Sequence, residues 1–282
     1  FPNEPAGFQR WAEHDMTTLP NGNLSHKGFA QVSYGSNYTS VADATAPNGK
    51  AVRIRYPKGM RGGVSPGRFF VWDRNTPGGD NNTGATELDE VYISLHVQLE
   101  GPDWELPSSA QKLFYTAGGR PGHHQWGIVE AYASQYGNYQ MHSDPKYEER
   151  HRRFRVSTRS QQHGEADRHV TPEGEYAHLY EIGPWRHIEL YRKVSDADVA
   201  NGVYKLWLDG ALLIHETDIM DQSTHDGDWT YGFHQFHWAP VFGGGYLSTN
   251  TCEDDPDRAC KSRDDFMRLG HLYISGIPRS QR

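Results

Sequence analysis

Lys112, Gln125, Trp126, Glu130, Tyr132, Tyr139, Gln140 and His142 crowd into one stretch of this chain. A cation beside amide side chains can neutralise a carboxylate and hold the negative charge that develops next to it. A histidine can take a proton, and a tyrosine can give one to a departing oxygen. Together these are the requirements for abstracting a proton beside a carboxylate and expelling a sugar from the neighbouring carbon. Lys112 with Gln140 or Gln125 suits the carboxylate, His142 or His124 the base, and Tyr139 or Tyr132 the acid. Gln140 and His142 are two apart, so on a strand they face the same way. Tyr139 is out of phase with them and reaches the same side only through a bulge or a strand end.

Such residues need a sheet to hold them. Val91, Ile93, Leu95, Val97 and Leu99 alternate with Tyr92, Ser94, His96 and Gln98, which predicts a strand with one apolar and one polar face. The polar face, His96 included, is expected to join the floor of the same groove as Lys112. AVRIRYP (51–57), GRFFVWD (67–73), WRHIELYRKV (185–194), GFHQFHW (232–238) and MRLGHLYISG (267–276) read as further strands. VYKLWLDGALLIHETD reads as two strands around Asp209-Gly210, a hairpin signal. Residues 1–30 read as an irregular lead-in, with Phe8 and Trp11 as anchors. No repeat, low-complexity segment or long amphipathic helix is visible. The expectation is one all-β domain spanning residues 1–282.

Other chemistries compete. Arg150, Arg152, Arg153, Arg155 and Arg159 cluster in SDPKYEERHRRFRVSTRS, either as a solvated edge strand or as a wall that attracts an anionic ligand. A glycoside hydrolase needs two carboxylates flanking the bond. Glu87-Leu88-Asp89-Glu90 offers acids ahead of the strand rather than in it, and Glu130 and Glu189 remain as candidates. His234 and His237, three apart, should point to opposite faces, which disfavours a shared metal; no metal site is assigned. The CEDDPD loop could hold a structural Ca²⁺ through oxygens, although its spacing fits no defined motif. No cofactor is otherwise required. Trp126 and Trp238 could form sugar-stacking platforms, so a lectin-like binder without turnover is a further reading.

The net charge is −8, which argues against a general nucleic-acid binder. No apolar run approaches the length that crosses a bilayer. Cys252 and Cys260 close a short polar loop that suits one disulfide, and N-x-S/T triplets occur at Asn23, Asn37 and Asn81. A chain beginning with Phe1 suggests a removed leader. Secretion is expected.

Trp104 to Leu113 forms a W-x₇-K-L segment, followed by KLFYTAGG (112–119), WRHIELY, NGVYKLWLDG and a closing HLYISG. In that order, over residues 50–277, the sequence resembles concanavalin A-like β-jelly-roll polysaccharide lyases of the alginate and glucuronan type. The resemblance implies two antiparallel sheets with a concave groove and β-elimination on a uronic-acid polysaccharide. It also implies an anionic polysaccharide partner and a protein acting as a monomer. It places Lys112, Tyr139, Gln140 and His142 among the catalytic residues. The expected substrate-binding residues are His96, Gln125, Trp126, Glu130, Tyr132, Arg153, Arg155 and His237. The sequence departs from the family where a Ser-x-Arg pair is replaced by His124, Gln125 and Trp126, and where the second tyrosine of a Tyr-x-Tyr pair is Met141.

Overall fold

In a computed structural model the period-two segments become strands. It describes residues 1–16, 29–33, 37–60, 65–71, 88–101, 104, 110–118, 125–133, 153–160, 168–170, 180–196, 198–219, 232–238, 240, 242 and 261–279. In chain order the strands are β1 (Gln9–His14), β2 (Phe29–Ser33), β3 (Tyr38–Ala42), β4 (Lys50–Tyr56), β5 (Arg68–Val71), β6 (Leu88–Leu99), β7 (Ala110–Gly118) and β8 (Gln125–Ala133). They continue as β9 (Arg153–Ser160), β10 (Arg168–Val170), β11 (Tyr180–Glu181), β12 (Arg186–Lys193), β13 (Gly202–Leu208), β14 (Ala211–Ile219), β15 (Phe233–Trp238) and β16 (Asp265–Pro278).

The strands form the two antiparallel layers of a β-jelly roll. In the first layer β6 lies between β12 and β16, and β13 and β14 continue outward from β12. The far edge of β16 pairs with β4 over Asp265–Leu269 and with β1 over Leu272–Gly276. The second layer runs β10-β9-β8-β7-β15-β5-β2. Among the described residues the layers share a ladder contact only at Phe233 and Leu88. Between them Val91, Ile93 and Ile274 of the first layer face Thr116, Phe233 and Phe236 of the second around a small cavity. The apolar half of the alternation in β6 is therefore the core half, with Ile93 and Leu95 fully buried.

Arg192 alternates with Ile188 and Leu190 and goes into that core with them. Its Nη1 donates to Thr116 Oγ1 at 3.0 Å, and its guanidinium lies over the rings of Tyr204 and Phe233. The hydrogen bond and the two ring faces offset part of the cost of burying the charge, and the bond to Thr116 ties β12 to β7.

Two turns follow from sequence chemistry. Asp209 and Gly210 both have positive φ (51° and 80°), as a two-residue turn of the primed kind requires. Leu208 pairs with Ala211 across that turn. A Cβ at Gly276 would strike the Glu90 carbonyl oxygen and come within 2.7 Å of Leu88 Cδ1, so the YISG segment needs its glycine where β16 crosses β6.

The lead-in contains more order than its sequence suggests. β1 pairs with β16, with a bulge between Arg10 and Ala12 that breaks strict alternation. That bulge hides the strand from a period-two reading; Ala12 and His14 are buried, and Trp11 packs on the core.

Candidate functional site

Each layer has an alternate set of residues opposite its core set, and both sets are rich in polar residue types. On the first, Tyr92, Ser94 and His96 of β6 stand in register with Tyr191, Glu189 and His187 of β12, and Ser275 and Tyr273 of β16 flank Tyr92 and Ser94. Glu189 is completely buried; it accepts hydrogen bonds from the Tyr92 hydroxyl and from Asn3 Nδ2 at 2.9 Å. Burial and this carboxylate both push the Tyr92 phenol up, so it remains a donor. Ser94 Oγ lies 2.7 Å from His187 Nε2, and His187 Nδ1 lies 3.7 Å from Glu189. Glu4 accepts from Tyr273 (2.9 Å) and Ser275 (2.5 Å), and Phe1 stacks on His271.

A serine, a histidine and a carboxylate in that order have the spacing of a nucleophile relay. Among the described residues, access and oxyanion stabilisation are missing. Ser94 is fully buried, and β6 is paired along both edges, so its amides are committed to ladders rather than free to hold an oxyanion. The network closes this face of the sheet. His96 belongs to it, stacked on His187, and so stands in a different layer from Lys112. The expectation that the polar side of β6 joins the Lys112 groove is corrected by the connectivity: β6 and β7 follow each other in sequence but belong to opposite layers.

The second layer collects most of the remaining expected residues. Lys112 of β7 is opposite Glu130 of β8, which is opposite Ser157 of β9. Tyr132 lies between Ala110 and Arg155, and Trp126 opposite Ala117. Arg153 shares the β9 alternation with Arg155 and pairs with Glu181 of β11. His237 of β15 is opposite Tyr115 of β7.

Two bulges set which residues share a face. One lies between Lys112 and Phe114, leaving Leu113 as the extra residue. Phe114 and Thr116 are buried, and so is Leu113. Strict alternation would place Lys112 with Phe114 and Thr116 on the core side. The bulge instead puts it in the alternate set of Tyr115, opposite the core set, with Trp126, Glu130 and Tyr132 on β8. The second bulge, between Phe233 and Gln235, lets Phe233 and Phe236 both be buried and leaves Gln235 and His237 in the other set.

Gln125 falls in the opposite alternation from Trp126, opposite Gly118. Tyr139, Gln140, His142, His124, the cysteines and the CEDDPD loop lie outside the described residues. Among the described residues no cluster of His, Cys, Asp and Glu could hold a metal ion. Tyr115 and Arg159 were not among the expected site residues, yet Tyr115, Ile128 and Arg159 share one transverse row with His237. The bulge that brings Tyr115 into line with Lys112 has no signature in KLFYTAGG.

The chain is similar over nearly its whole length to solved polysaccharide lyases. An endo-β-1,4-glucuronan lyase from the fungus Trichoderma reesei superposes with TM-score 0.53 at 15% identity, covering 95% of this chain and 96% of that one. A marine PL-14 alginate lyase from Aplysia kurodai superposes with TM-score 0.58 at 10% identity, covering 94% and 98%. The alginate lyase Aly36B gives TM-score 0.54 at 12% identity with 96% of each chain covered, and its variants are known in complex with alginate oligosaccharides. No protein-family model and no curated protein matches the chain. At these identities the likeness is one of fold.

Proposed function

We propose that the chain is a secreted polysaccharide lyase that cleaves a uronic-acid-containing polysaccharide by β-elimination. The observation that carries this reading is the register of the second layer. It gathers Lys112, Trp126, Glu130, Tyr132, Arg153, Arg155 and His237 into one alternate set, opposite the buried set of Phe114 and Thr116. The glucuronan and alginate lyases share the fold, and the same residue types suit their class of substrate.

In this reading Lys112 and the arginines of β9 attract the polyanion and neutralise the carboxylate at the reacting sugar. Neutralisation makes the neighbouring C5 proton removable, because charge that develops on the carboxylate in the transition state meets a fixed cation. His142 is the base that takes the C5 proton, and Gln140 helps to hold the carboxylate. The C–H electron pair becomes the C4=C5 double bond, the C4–O bond breaks, and the departing oxygen is protonated. Trp126 supplies a stacking surface for a sugar ring. No metal or cofactor enters the step. The reading carries with it a single monomeric jelly-roll domain and a Cys252–Cys260 disulfide formed on export.

The direct test follows the ultraviolet absorbance of the new double bond while the protein is incubated separately with alginate and β-1,4-glucuronan. A rising signal on either supports elimination. A flat trace on both, or product carrying an added water, overturns the reading.

A further inference from the structure

We propose that the outer face of the first layer carries a second, non-catalytic polysaccharide site across β12, β13 and β14, centred on Trp207. Its ligand class, a uronic-acid polysaccharide, rests on the lyase reading. The polar network closes the face over β6, but the strands farther out are built differently. On β13, Val203, Lys205 and Trp207 alternate with the buried Tyr204, Leu206 and Leu208, so they form the outward set. Trp207 stands opposite Leu212 of β14, and Lys205 stands opposite the exposed His215, with Tyr191 of β12 on its other side.

A bulge creates the apolar pair. Leu206 faces Ile214 and Trp207 faces Leu212, which leaves Leu213 as the extra residue. Ile214 is buried and Leu213 packs against the core, whereas Leu212 is turned outward and 49% exposed. Plain alternation from Ile214 would send Leu212 to the core side. An exposed leucine beside a half-buried tryptophan makes an apolar step that gains by being covered. Next to it, Lys205 holds its ammonium 5.7 Å from the centre of the Tyr191 ring and, among the described residues, meets no carboxylate. Most nearby acids are engaged or turned away. Glu189 is buried, Glu90 accepts from Tyr191, Asp209 accepts from Arg186, and Glu216 stands opposite the core-side Tyr204. Asp218 lies at the far end of β14.

One uronate residue matches both features. Lys205 and Trp207 are two apart on one face, about 7 Å, so the C–H face of a sugar ring can lie on Trp207 while its carboxylate meets Lys205. A second copy of the chain fits this edge less well, because two bulges in the β13–β14 ladder disturb the line needed for strand addition. The site lies on a different layer from Lys112, so it holds the protein on a polysaccharide matrix without presenting the bond to be cleaved.

Native gels containing alginate or β-1,4-glucuronan test this, with Lys112→Ala as the parent so that the polymer persists. The parent should be retarded. Trp207→Ala should weaken binding about three- to tenfold, the size of one lost aromatic contact, and Lys205→Gln about two- to fivefold. Lys205→Gln changes only a surface charge and carries the test if Trp207→Ala fails to fold. In otherwise wild-type protein, Trp207→Ala should slow turnover of gelled polymer, where anchoring raises the local concentration of bonds. Its kcat and KM on a soluble tetrasaccharide of the same polymer should be unchanged. The site is refuted if neither polymer retards the parent, if both variants bind like the parent, or if tetrasaccharide turnover falls as far as turnover of the gel. A wild-type dimer that separates in Trp207→Ala with retardation unchanged assigns the face to a second copy and also refutes the site. The lyase reading fails separately, when wild-type protein is silent on both polymers; retardation that weakens in Trp207→Ala still supports the site in that case.

Discussion

The imidazoles of His96 and His187 lie ring on ring, 4.2 Å between centroids and 4° from parallel, on the outer face of the first layer. Two stacked imidazoles resist carrying charge together. Burial pushes His96 down to about 4 from 6.5, and the adjacent His187 adds to the shift. Burial also lowers His187, against the opposing pull of Glu189 and Asp209.

These shifts give a pH dependence with a definite sign. Between about pH 4 and 6.5 the unfolded chain binds a proton at His96 that the folded chain does not, so stability rises with pH through that window, and His187 acts in the same direction. The contribution is fully present above the unfolded value and is lost as the pH falls toward the folded one. Urea unfolding at pH 7 and pH 5 should show a lower midpoint at pH 5, and His96→Gln should reduce the difference. An unchanged difference in His96→Gln would remove His96 as a source.

A second stability test concerns Lys261, which is buried with its ammonium 2.5 Å from Asp265 and 4.2 Å from the centre of the Trp104 ring. The pair joins the segment entering β16 to the core. Lys261→Met leaves the Asp265 carboxylate buried without its nearest cation, at a cost of about 3 kcal/mol. Adding Asp265→Asn should recover part of that loss in urea denaturation. Equal stability of Lys261→Met and wild type would contradict the account.

The fold was largely legible in the sequence, and the site only in part. Val91 to Leu99 and Ile188 to Arg192 alternate without interruption, so their core sides could be read directly. Asp209-Gly210 named its own turn because few residue pairs tolerate two positive φ values. Layer membership was not legible: β6 and β7 are consecutive, and only long-range pairing of β6 with β12 and β16 separates His96 from Lys112. Nor were the bulges at Arg10–Ala12 and at Leu113, because an inserted residue reverses alternation without changing composition.

Lys112 should matter to chemistry more than to folding. Lys112→Ala should cut kcat/KM by about 10²-fold or more, the size expected when one preorganised charge is lost from a transition state. Its circular dichroism and thermal midpoint should match wild type. Near-wild-type kcat/KM in this variant would remove Lys112 from the site.

The β9 arginines should act on binding. Arg153→Ala combined with Arg155→Ala should raise KM on the polymer with little change in kcat, the pattern for contacts equally strong in ground and transition states. Added salt should raise the wild-type KM and should do so less in the double variant, since screening acts on the same charges. Identical salt responses would show that other groups hold the polyanion.

The central claim is elimination at the second-layer face, and product mass tests it most directly. Wild-type protein incubated with alginate or β-1,4-glucuronan should yield oligosaccharides with an unsaturated end and no added water, and Lys112→Ala should yield almost none. Saturated products carrying one added water, or intact polymer from both substrates, would contradict it.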